Sequence, residues 1–127
     1  MKRPARVLIV DDARDNREVY AEYLRFRGFQ VTEAATGAEA VQRAPRCCPD
    51  VVLLDMRLPD VSGAEVCRQL RAMRSIRPTI IALSACAFDS DVTTALASGC
   101  DAFLAKPCLP ETLESEIRRL LRLQAVA

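Results

Sequence analysis

The chain has 127 residues, half of them apolar, and its 18 basic and 17 acidic residues leave a formal net charge of +1. This length is typical of one domain that buries its own core. The balanced charge gives no reason to expect binding to nucleic acid or to an anionic membrane. No apolar run approaches the roughly 18 residues of a membrane-spanning helix, and the apolar part of the N-terminal segment is too short for a secretory signal. We therefore expect a cytoplasmic protein.

The cysteine and histidine content limits the chemistry of the chain, which has six cysteines and no histidine. No two cysteines have C-x-x-C spacing, so a structural zinc site is not expected. Disulfides are not expected in a reducing cytosol, and we interpret the cysteines as small core or surface thiols. The lack of histidine excludes histidine-based acid–base catalysis and the serine triad.

The first half of the chain predicts strand, helix, strand, helix and strand, in that order. Its strands are short runs of apolar or alternating residues, over residues 6–10, 29–34 and 51–55. The first helix is predicted over residues 15–28, with one apolar face formed by Val19, Tyr20, Tyr23 and Leu24. The second helix begins at Thr36, which stands three residues before Glu39 in the pattern of a capping box.

A third helix and a fourth strand follow the loop after residue 55. Ser62 and Glu65 repeat the capping-box spacing, so we expect the helix to begin there. Its apolar face consists of Val66, Cys67, Leu70 and Met73. The strand is the apolar run over residues 79–85.

The last two helices differ in how well the sequence specifies them. Asp89 or Ser90 is expected to cap a weak fourth helix, which Gly99 ends. A fifth strand over residues 101–107 precedes the last helix, which starts at Pro110. That helix is well specified for two reasons. Acidic residues precede basic ones, as the helix dipole favours, and the apolar residues share one face, at Leu113, Ile117, Leu120 and Leu121.

Five strands and five helices therefore alternate along the chain. This order predicts an α/β fold, a doubly wound, flavodoxin-like parallel sheet of five strands with helices on both faces. The strands are apolar runs because both faces of such a sheet are covered. No repeat, low-complexity segment or linker is visible, so we predict a single domain over residues 1–127 with its core at about 6–122.

Polar side chains stand where four of the predicted strands end. Asp11 and Asp12 follow the first strand, Asp55 ends the third, Ser84 the fourth and Lys106 the fifth. The carboxyl ends of parallel strands meet at one edge of the sheet, where ligands bind in open α/β folds. We therefore expect Asp55 at the mouth of a cleft and not in the core.

The charges of this group predict a divalent cation. Three carboxylates would repel each other, and Lys106 offsets only one of the three negative charges. A doubly charged ion brings the sum to zero, and oxygen ligands favour Mg²⁺, with Mn²⁺ as a substitute. Such a metal beside a lysine and a hydroxyl is typical of phosphoryl transfer. Asp55, without an acidic neighbour, is the predicted nucleophile, and Asp11 and Asp12 are predicted to hold the metal.

Four short motifs stand in order at the strand ends: "VDD", "LLDMRLPDVSG", "ALSA" and "GCDAFLAKP". Together they resemble the receiver domains of two-component response regulators, and the resemblance covers about residues 6–122. It implies that Asp55 accepts a phosphoryl group from a sensor histidine kinase or a histidine phosphotransfer protein. It also implies that Mg²⁺ is bound by Asp12, Asp55 and the main-chain carbonyl of Arg57, and mainly through water by Asp11.

The resemblance further implies how such a switch works. Ser84 and Lys106 would bind the phosphoryl group, and the Lys106–Pro107 peptide bond would be cis. Phe103 would turn inward as Ser84 moves, changing the face formed by the fourth helix, the fifth strand and the fifth helix. That face would select a downstream protein, with the domain a monomer or a phosphorylation-dependent dimer. The domain would catalyse only its own phosphorylation and dephosphorylation, and would not bind nucleic acid itself.

Two positions depart from the commonest residues of receiver domains. Arg57 lies two residues after Asp55, and Cys86 lies two residues after Ser84. In the family these positions border the path of the water that removes the phosphoryl group. We hypothesise that Arg57 screens this group and lengthens its lifetime, the alternative being an arginine that points to solvent.

Three other functions are alternatives to this interpretation. A receiver-like module that is never phosphorylated would act only by binding proteins. A small phosphatase with an aspartyl nucleophile would need D-x-D-x-T after the first strand, which "VDDARD" lacks. A flavodoxin-like cofactor domain would need a phosphate-binding loop, and the first loop is poor in glycine. The receiver could stand alone or belong to a longer regulator or hybrid kinase.

Overall fold

The computed structural model describes residues 3–85 and 88–126, which form a parallel five-stranded sheet flanked by five helices. The strands are β1 (Arg6–Val10), β2 (Gln30–Ala34), β3 (Val51–Asp55), β4 (Thr79–Ser84) and β5 (Ala102–Ala105). The helices are α1 (Arg14–Phe26), α2 (Gly37–Cys47), α3 (Gly63–Ala72), α4 (Asp89–Ala97) and α5 (Pro110–Val126). Within these described ranges, no helix is both long and apolar enough to cross a bilayer.

The spatial order of the strands is β2-β1-β3-β4-β5, and every neighbouring pair is parallel. This confirms the predicted doubly wound α/β fold. Alternate residues of a strand face opposite sides of the sheet, so the core has two halves. Helices α2, α3 and α4 pack on one face, against residues such as Leu8, Val52 and Ile80. Helices α1 and α5 pack on the other face, against Leu53 and Ile81 among others.

Both predicted capping boxes are present at the starts of α2 and α3. The N–H of Glu39 donates to Thr36 Oγ1 at 3.1 Å, and the N–H of Glu65 donates to Ser62 Oγ at 3.1 Å. The Glu39 carboxylate also accepts from the N–H of Ala35, the residue before the cap, at 2.9 Å. These contacts fix where α2 and α3 begin, and hence the shape of the loops before them.

Two local predictions about helices are wrong. Val19 is 54% exposed, because the buried stripe of α1 runs through Ala21 and not through Val19. The fourth helix is not capped by Asp89 or Ser90, because Phe88, which has an extended backbone, occupies the N-cap without a side-chain hydrogen bond. Helix α4 therefore begins without the stabilisation that a polar cap provides.

The structure contradicts two of the predicted element ends and confirms two others. Met73 is the C-cap of α3 and lies just outside the helix. Strand β5 ends at Ala105, so Lys106 follows the strand instead of ending it. Gly28 and Gly99 have left-handed backbones, with φ of 96° and 113°, which only glycine adopts readily and which confirms both predicted helix ends.

A buried acid, Glu114, joins α5 to α1. Its carboxylate accepts hydrogen bonds from Tyr23 Oη at 2.7 Å, Arg27 Nε at 3.0 Å and Arg118 Nε at 2.9 Å. The Arg118 guanidinium also lies 4.8 Å from the centre of the Phe29 ring. Burial acts to raise the pKa of Glu114, but the hydrogen bonds from Tyr23, Arg118 and Arg27 outweigh it and lower that pKa to about 2.

We expect Glu114→Gln to lower the free energy of unfolding at pH 7 by about 1–2 kcal/mol, because two arginines lose a buried anionic partner. The pKa of Glu114 is lower in the folded chain than the ordinary value of about 4.3, so its stabilisation is complete above that value and is lost as the pH falls toward 2. Urea unfolding at pH 7 and pH 3 should show that the deficit of the variant shrinks at the lower pH.

The matched control is Glu18→Gln, which removes the exposed ion pair between Arg14 and Glu18 on α1. Exposed pairs contribute little to stability, so this variant should unfold nearly as the parent does at both pH values. Equal losses in the two variants would contradict a special role for Glu114.

Candidate functional site

The carboxyl ends of β1 and β3 bring three acidic side chains together. Val10 pairs with Leu54 in the ladder, so the next residues, Asp11 and Asp55, stand side by side. One carboxylate oxygen from each of Asp11, Asp12 and Asp55 lies within 4.8 Å of the other two. Octahedral Mg²⁺ holds its oxygen ligands about 3–4 Å apart, so this donor set fits the ion after small side-chain adjustments. The acids named from the sequence therefore form one cluster.

Lys106 reaches this cluster from the end of β5. Its Nζ donates to Asp11 Oδ2 at 2.9 Å and to Asp55 Oδ2 at 3.2 Å. Its backbone N–H donates to Ser84 O at 2.9 Å, and its peptide bond to Pro107 is cis. Burial acts to lower the pKa of Lys106, but the hydrogen bond to Asp11 and the charges of Asp55 and Asp11 outweigh it and raise the pKa. The amine therefore stays charged between two carboxylates.

Asp55 is more enclosed than expected from the sequence, with only 7% of the residue exposed. Burial raises the pKa of its carboxyl group, and the nearby charge of Asp11 raises it further. The N–H of Arg57, which donates to Asp55 Oδ1 at 3.0 Å, and the charge of Lys106 act in the opposite direction. Asp55 has no acidic neighbour along the sequence, but Asp11 lies beside it in the fold and shares Lys106 with it, in agreement with the predicted crowding of the carboxylates.

Asp11 and Asp12 occupy different environments although they are adjacent in sequence. Asp11 is 2% exposed and accepts from the N–H of Ala13 at 2.9 Å as well as from Lys106. Asp12 is exposed. The two acids are thus not an equivalent pair: one is held inside the site by hydrogen bonds, and the other meets solvent.

The remaining residues named from the sequence lie around this cluster or beside it. Ser84 is buried at the end of β4, opposite Ala105. Phe103 lies on β5, is partly buried and packs against the core cluster beneath α3 and α4. Arg57 is exposed and, with Ser84, lines a cavity of about 280 Å³ beside α3 and α4. Cys86 falls outside the described residues.

Sequence reasoning missed Asp60, which anchors the loop after the predicted nucleophile. Its two carboxylate oxygens accept from the N–H groups of Gly37 and Ala38, both at 2.9 Å, at the start of α2. These two hydrogen bonds lower the pKa of Asp60. A side chain at Gly37 would overlap Val61, so the loop packs tightly on the helix. An acid near a helix N-terminus is favourable in general, but the sequence does not indicate which helix it meets.

A family model described as "Response regulator receiver domain" matches residues 7–118. The chain belongs to this family. The receiver domain is 40% identical over 119 residues to "Response regulator MprA" of Mycobacterium sp. (strain KMS), a match that covers 94% of the receiver domain and 51% of that protein. It thus spans about half the length of the curated relatives it matches.

Solved structures agree with this assignment. The receiver domain resembles a CheY-like receiver domain protein from Methanospirillum hungatei JF-1, with a TM-score of 0.90 and 29% identity, over 96% of this chain and 97% of that one. It also resembles the receiver domain of DrrB, described as BeF3 activated, with a TM-score of 0.85 and 28% identity over 94% and 98% of the two chains. The resemblance noted in the motifs is therefore confirmed across the fold.

Proposed function

We propose that this receiver domain is a phosphoacceptor switch in which Asp55 takes a phosphoryl group from a phosphohistidine. The donor would be a sensor histidine kinase or a histidine phosphotransfer protein, in the cytoplasm. The observation that carries the proposal is the position of Lys106, bound to Asp11 and Asp55 within a cluster of three carboxylates. Membership of the receiver family supports it.

The proposed metal ligands are Asp12, Asp55 and the main-chain carbonyl of Arg57, with Asp11 acting mainly through water. Mg²⁺, or Mn²⁺ in its place, would supply positive charge next to the phosphoryl oxygens. The different environments of Asp11 and Asp12 support this division, because Lys106 and Ala13 already occupy the Asp11 carboxylate. The exposed Asp12 is the acid best placed to meet an ion arriving from solvent.

The chain's own residues would perform the transfer as follows. A carboxylate oxygen of Asp55 forms a bond to phosphorus while the bond from phosphorus to the donor imidazole breaks. Lys106 would bind one phosphoryl oxygen, and the Ser84 hydroxyl would bind another. Because the group becomes an acyl phosphate, water can remove it again. The modification is therefore temporary, as a signal requires.

The proposed output is a change of the α4-β5-α5 face, which reports events at Ser84 through Phe103. Ser84 is buried beside the cluster, and Phe103 lies on the neighbouring strand against the core. Helix α4 has no side-chain cap, which makes it a suitable element to shift. A downstream protein, or a second copy after phosphorylation, would read this face.

Beryllofluoride, an acyl-phosphate mimic, tests the proposed function directly. We expect ¹H–¹⁵N spectra of the chain to change on addition of beryllofluoride with Mg²⁺, at the carboxyl ends of β1 and β3 and along β4 and β5. Neither reagent alone should produce the full change. Spectra that stay the same with both reagents present would instead favour a protein-binding module that is never phosphorylated.

Arg57→Ala is expected to shorten the half-life of phosphorylated Asp55 by roughly two- to fivefold, equivalent to about 0.4–1 kcal/mol in the barrier. The reason is that Arg57, which lines the same cavity as Ser84, would no longer screen the phosphoryl group from water. Decay after removal of a small-molecule phosphodonor can be followed on phosphate-affinity gels. Arg74→Ala, an exposed arginine just after α3, is the control. An unchanged rate in Arg57→Ala ends the hypothesis.

A further inference from the structure

Two cysteines form a buried pair outside the phosphoacceptor site. Cys67 lies on α3, and Cys100 lies in the turn that joins α4 to β5. Their sulfur atoms are 3.6 Å apart, although the residues are 33 positions apart along the chain. Neither residue belongs to the acidic cluster or contacts Lys106 in the described hydrogen bonds. The proposed function leaves this pair without a role.

Arg71, one helical turn after Cys67, connects α3 to the turn that contains Cys100. Its guanidinium donates to Gly99 O at 2.9 Å and to Asp101 Oδ2 at 2.7 Å, so it binds the residues on either side of Cys100. The helix that carries one thiol thus anchors the turn that carries the other. The turn on either side of Cys100 is therefore hydrogen-bonded to α3.

The two thiols are also chemically different. A hydrogen bond from Cys100 to the sulfur of Cys67, assisted by the charge of Arg71, lowers the pKa of Cys67 against the opposing effect of burial. The same hydrogen bond and burial raise the pKa of Cys100. Cys67 is therefore the thiol that ionises first, and Cys100 retains its proton.

We propose that Cys67 and Cys100 are an oxidisable dithiol that a small hydroperoxide converts into an intramolecular disulfide. The Cys67 thiolate attacks one peroxide oxygen, the O–O bond breaks, and the products are a sulfenic acid on Cys67 and an alcohol, or water from hydrogen peroxide. The sulfur of Cys100 then attacks the sulfenic sulfur, forming the S–S bond as the S–O bond breaks and water leaves with the thiol proton. Two thiols and one hydroperoxide thus give one disulfide, one alcohol and one water.

Disulfide formation requires the two sulfur atoms to approach each other. An S–S bond is about 2.05 Å long, so the sulfur atoms must approach by about 1.5 Å from their present 3.6 Å. Cys67 is fully buried and Cys100 is 6% exposed, so the oxidant must be small. Local opening of α4, whose N-terminal end at Phe88 lacks a side-chain cap, would give the oxidant a route. A disulfide here would tie α3 to the segment just before β5.

The test uses the whole reduced chain treated with hydrogen peroxide, quenched with an alkylating reagent. Digestion with trypsin and Asp-N places Cys67 alone in residues 60–68 and Cys100 alone in residues 91–100. We expect mass spectrometry to find these two peptides joined, with the link removed by dithiothreitol. Cys100→Ser should abolish the joined peptide, while Cys108→Ser, which removes a cysteine outside the pair, should preserve it.

The exposed Cys48 is the internal reference for oxidant dose. The decisive result is one in which Cys48 of the parent chain is fully oxidised but no peptide joining residues 60–68 to residues 91–100 appears. The pair is then an inert structural contact, and the proposal is overturned. This outcome does not depend on whether any variant folds.

The disulfide would restrain the α4-β5-α5 face and so reduce the response of the domain to phosphorylation. This consequence rests on the proposed function. We expect the oxidised chain to show smaller beryllofluoride-induced spectral changes in β5 than the reduced chain, and dithiothreitol to restore them. If the reduced chain does not respond to beryllofluoride, the proposed function fails while the disulfide stands. If the joined peptide is missing, only the dithiol proposal fails.

Discussion

Replacing Asp55 with Asn is expected to abolish phosphorylation completely while leaving the fold intact. An amide has nearly the same shape as the carboxylate and can still accept from the N–H of Arg57, but it cannot attack phosphorus. Incubation with acetyl phosphate and Mg²⁺ should add one phosphoryl group to the parent chain and none to Asp55→Asn, as read by intact mass. Asp15→Asn, which alters an exposed acid in the first turn of α1, should behave like the parent.

The same variant should be at least as stable as the parent without Mg²⁺. Burial raises the pKa of Asp55 in the folded chain, so its ionisation destabilises the fold as the pH rises above the unfolded pKa, and the full cost is present above the folded pKa. At pH 7 the Asn side chain removes this cost together with the repulsion from Asp11. Phosphorylation of Asp55→Asn at any other residue would contradict Asp55 as the acceptor, and a lower unfolding temperature at pH 7 would contradict the electrostatic description of the site.

Lys106→Met is expected to change metal binding and phosphoryl transfer in opposite directions. The variant removes the cation between Asp11 and Asp55, so a divalent ion no longer competes with Lys106 for the two carboxylates. Mg²⁺ should therefore bind on the order of tenfold more tightly. Transfer from acetyl phosphate should slow by about a hundredfold or more, because a preorganised donor to the phosphoryl oxygens is lost. Calorimetric titration measures the first effect, and intact mass at timed intervals measures the second.

Lys106→Arg is the matched control for charge. It keeps the positive charge, so its affinity for Mg²⁺ should stay close to that of the parent, while the larger planar group fits the enclosed position poorly and transfer should still be impaired. Weaker binding of Mg²⁺ to Lys106→Met than to the parent would show that the lysine does not compete with the ion for the carboxylates. The proposed charge balance at the site would then be wrong.

The position of the cluster was predictable because each of its residues directly follows or ends an apolar strand. Parallel strands force those ends to one edge, so Asp11, Asp55 and Ser84 had to meet there once the alternation of strands and helices was recognised. The capping boxes were equally predictable, because a hydroxyl and an acid three residues apart interact locally. Contacts of this kind do not depend on how distant parts of the chain pack.

What the sequence did not predict depends on packing between distant segments. The sequence predicted that Lys106 would lie beside the carboxylates, but not that its amine would bind Asp11 and Asp55 at once, because that depends on side-chain directions at three strands. Val19 matched the helical period, but α1 is rotated so that Val19 borders the groove beside Pro107 instead of the core. The contact between Cys67 and Cys100 likewise arises from the position of the α4–β5 turn against α3.

The loop that follows Asp55 packs closely on the start of α2, and this contact should constrain how the sequences of related proteins diverge. The absence of a side chain at Gly37 leaves the space that Val61 and Val66 fill, and Asp60 reaches the helix only because the loop comes so close. Positions 37 and 61 should therefore covary: homologues with a larger residue at the first should carry a smaller one at the second. Transplanting the loop alone between distant homologues should then fail more often than transplanting loop and helix together.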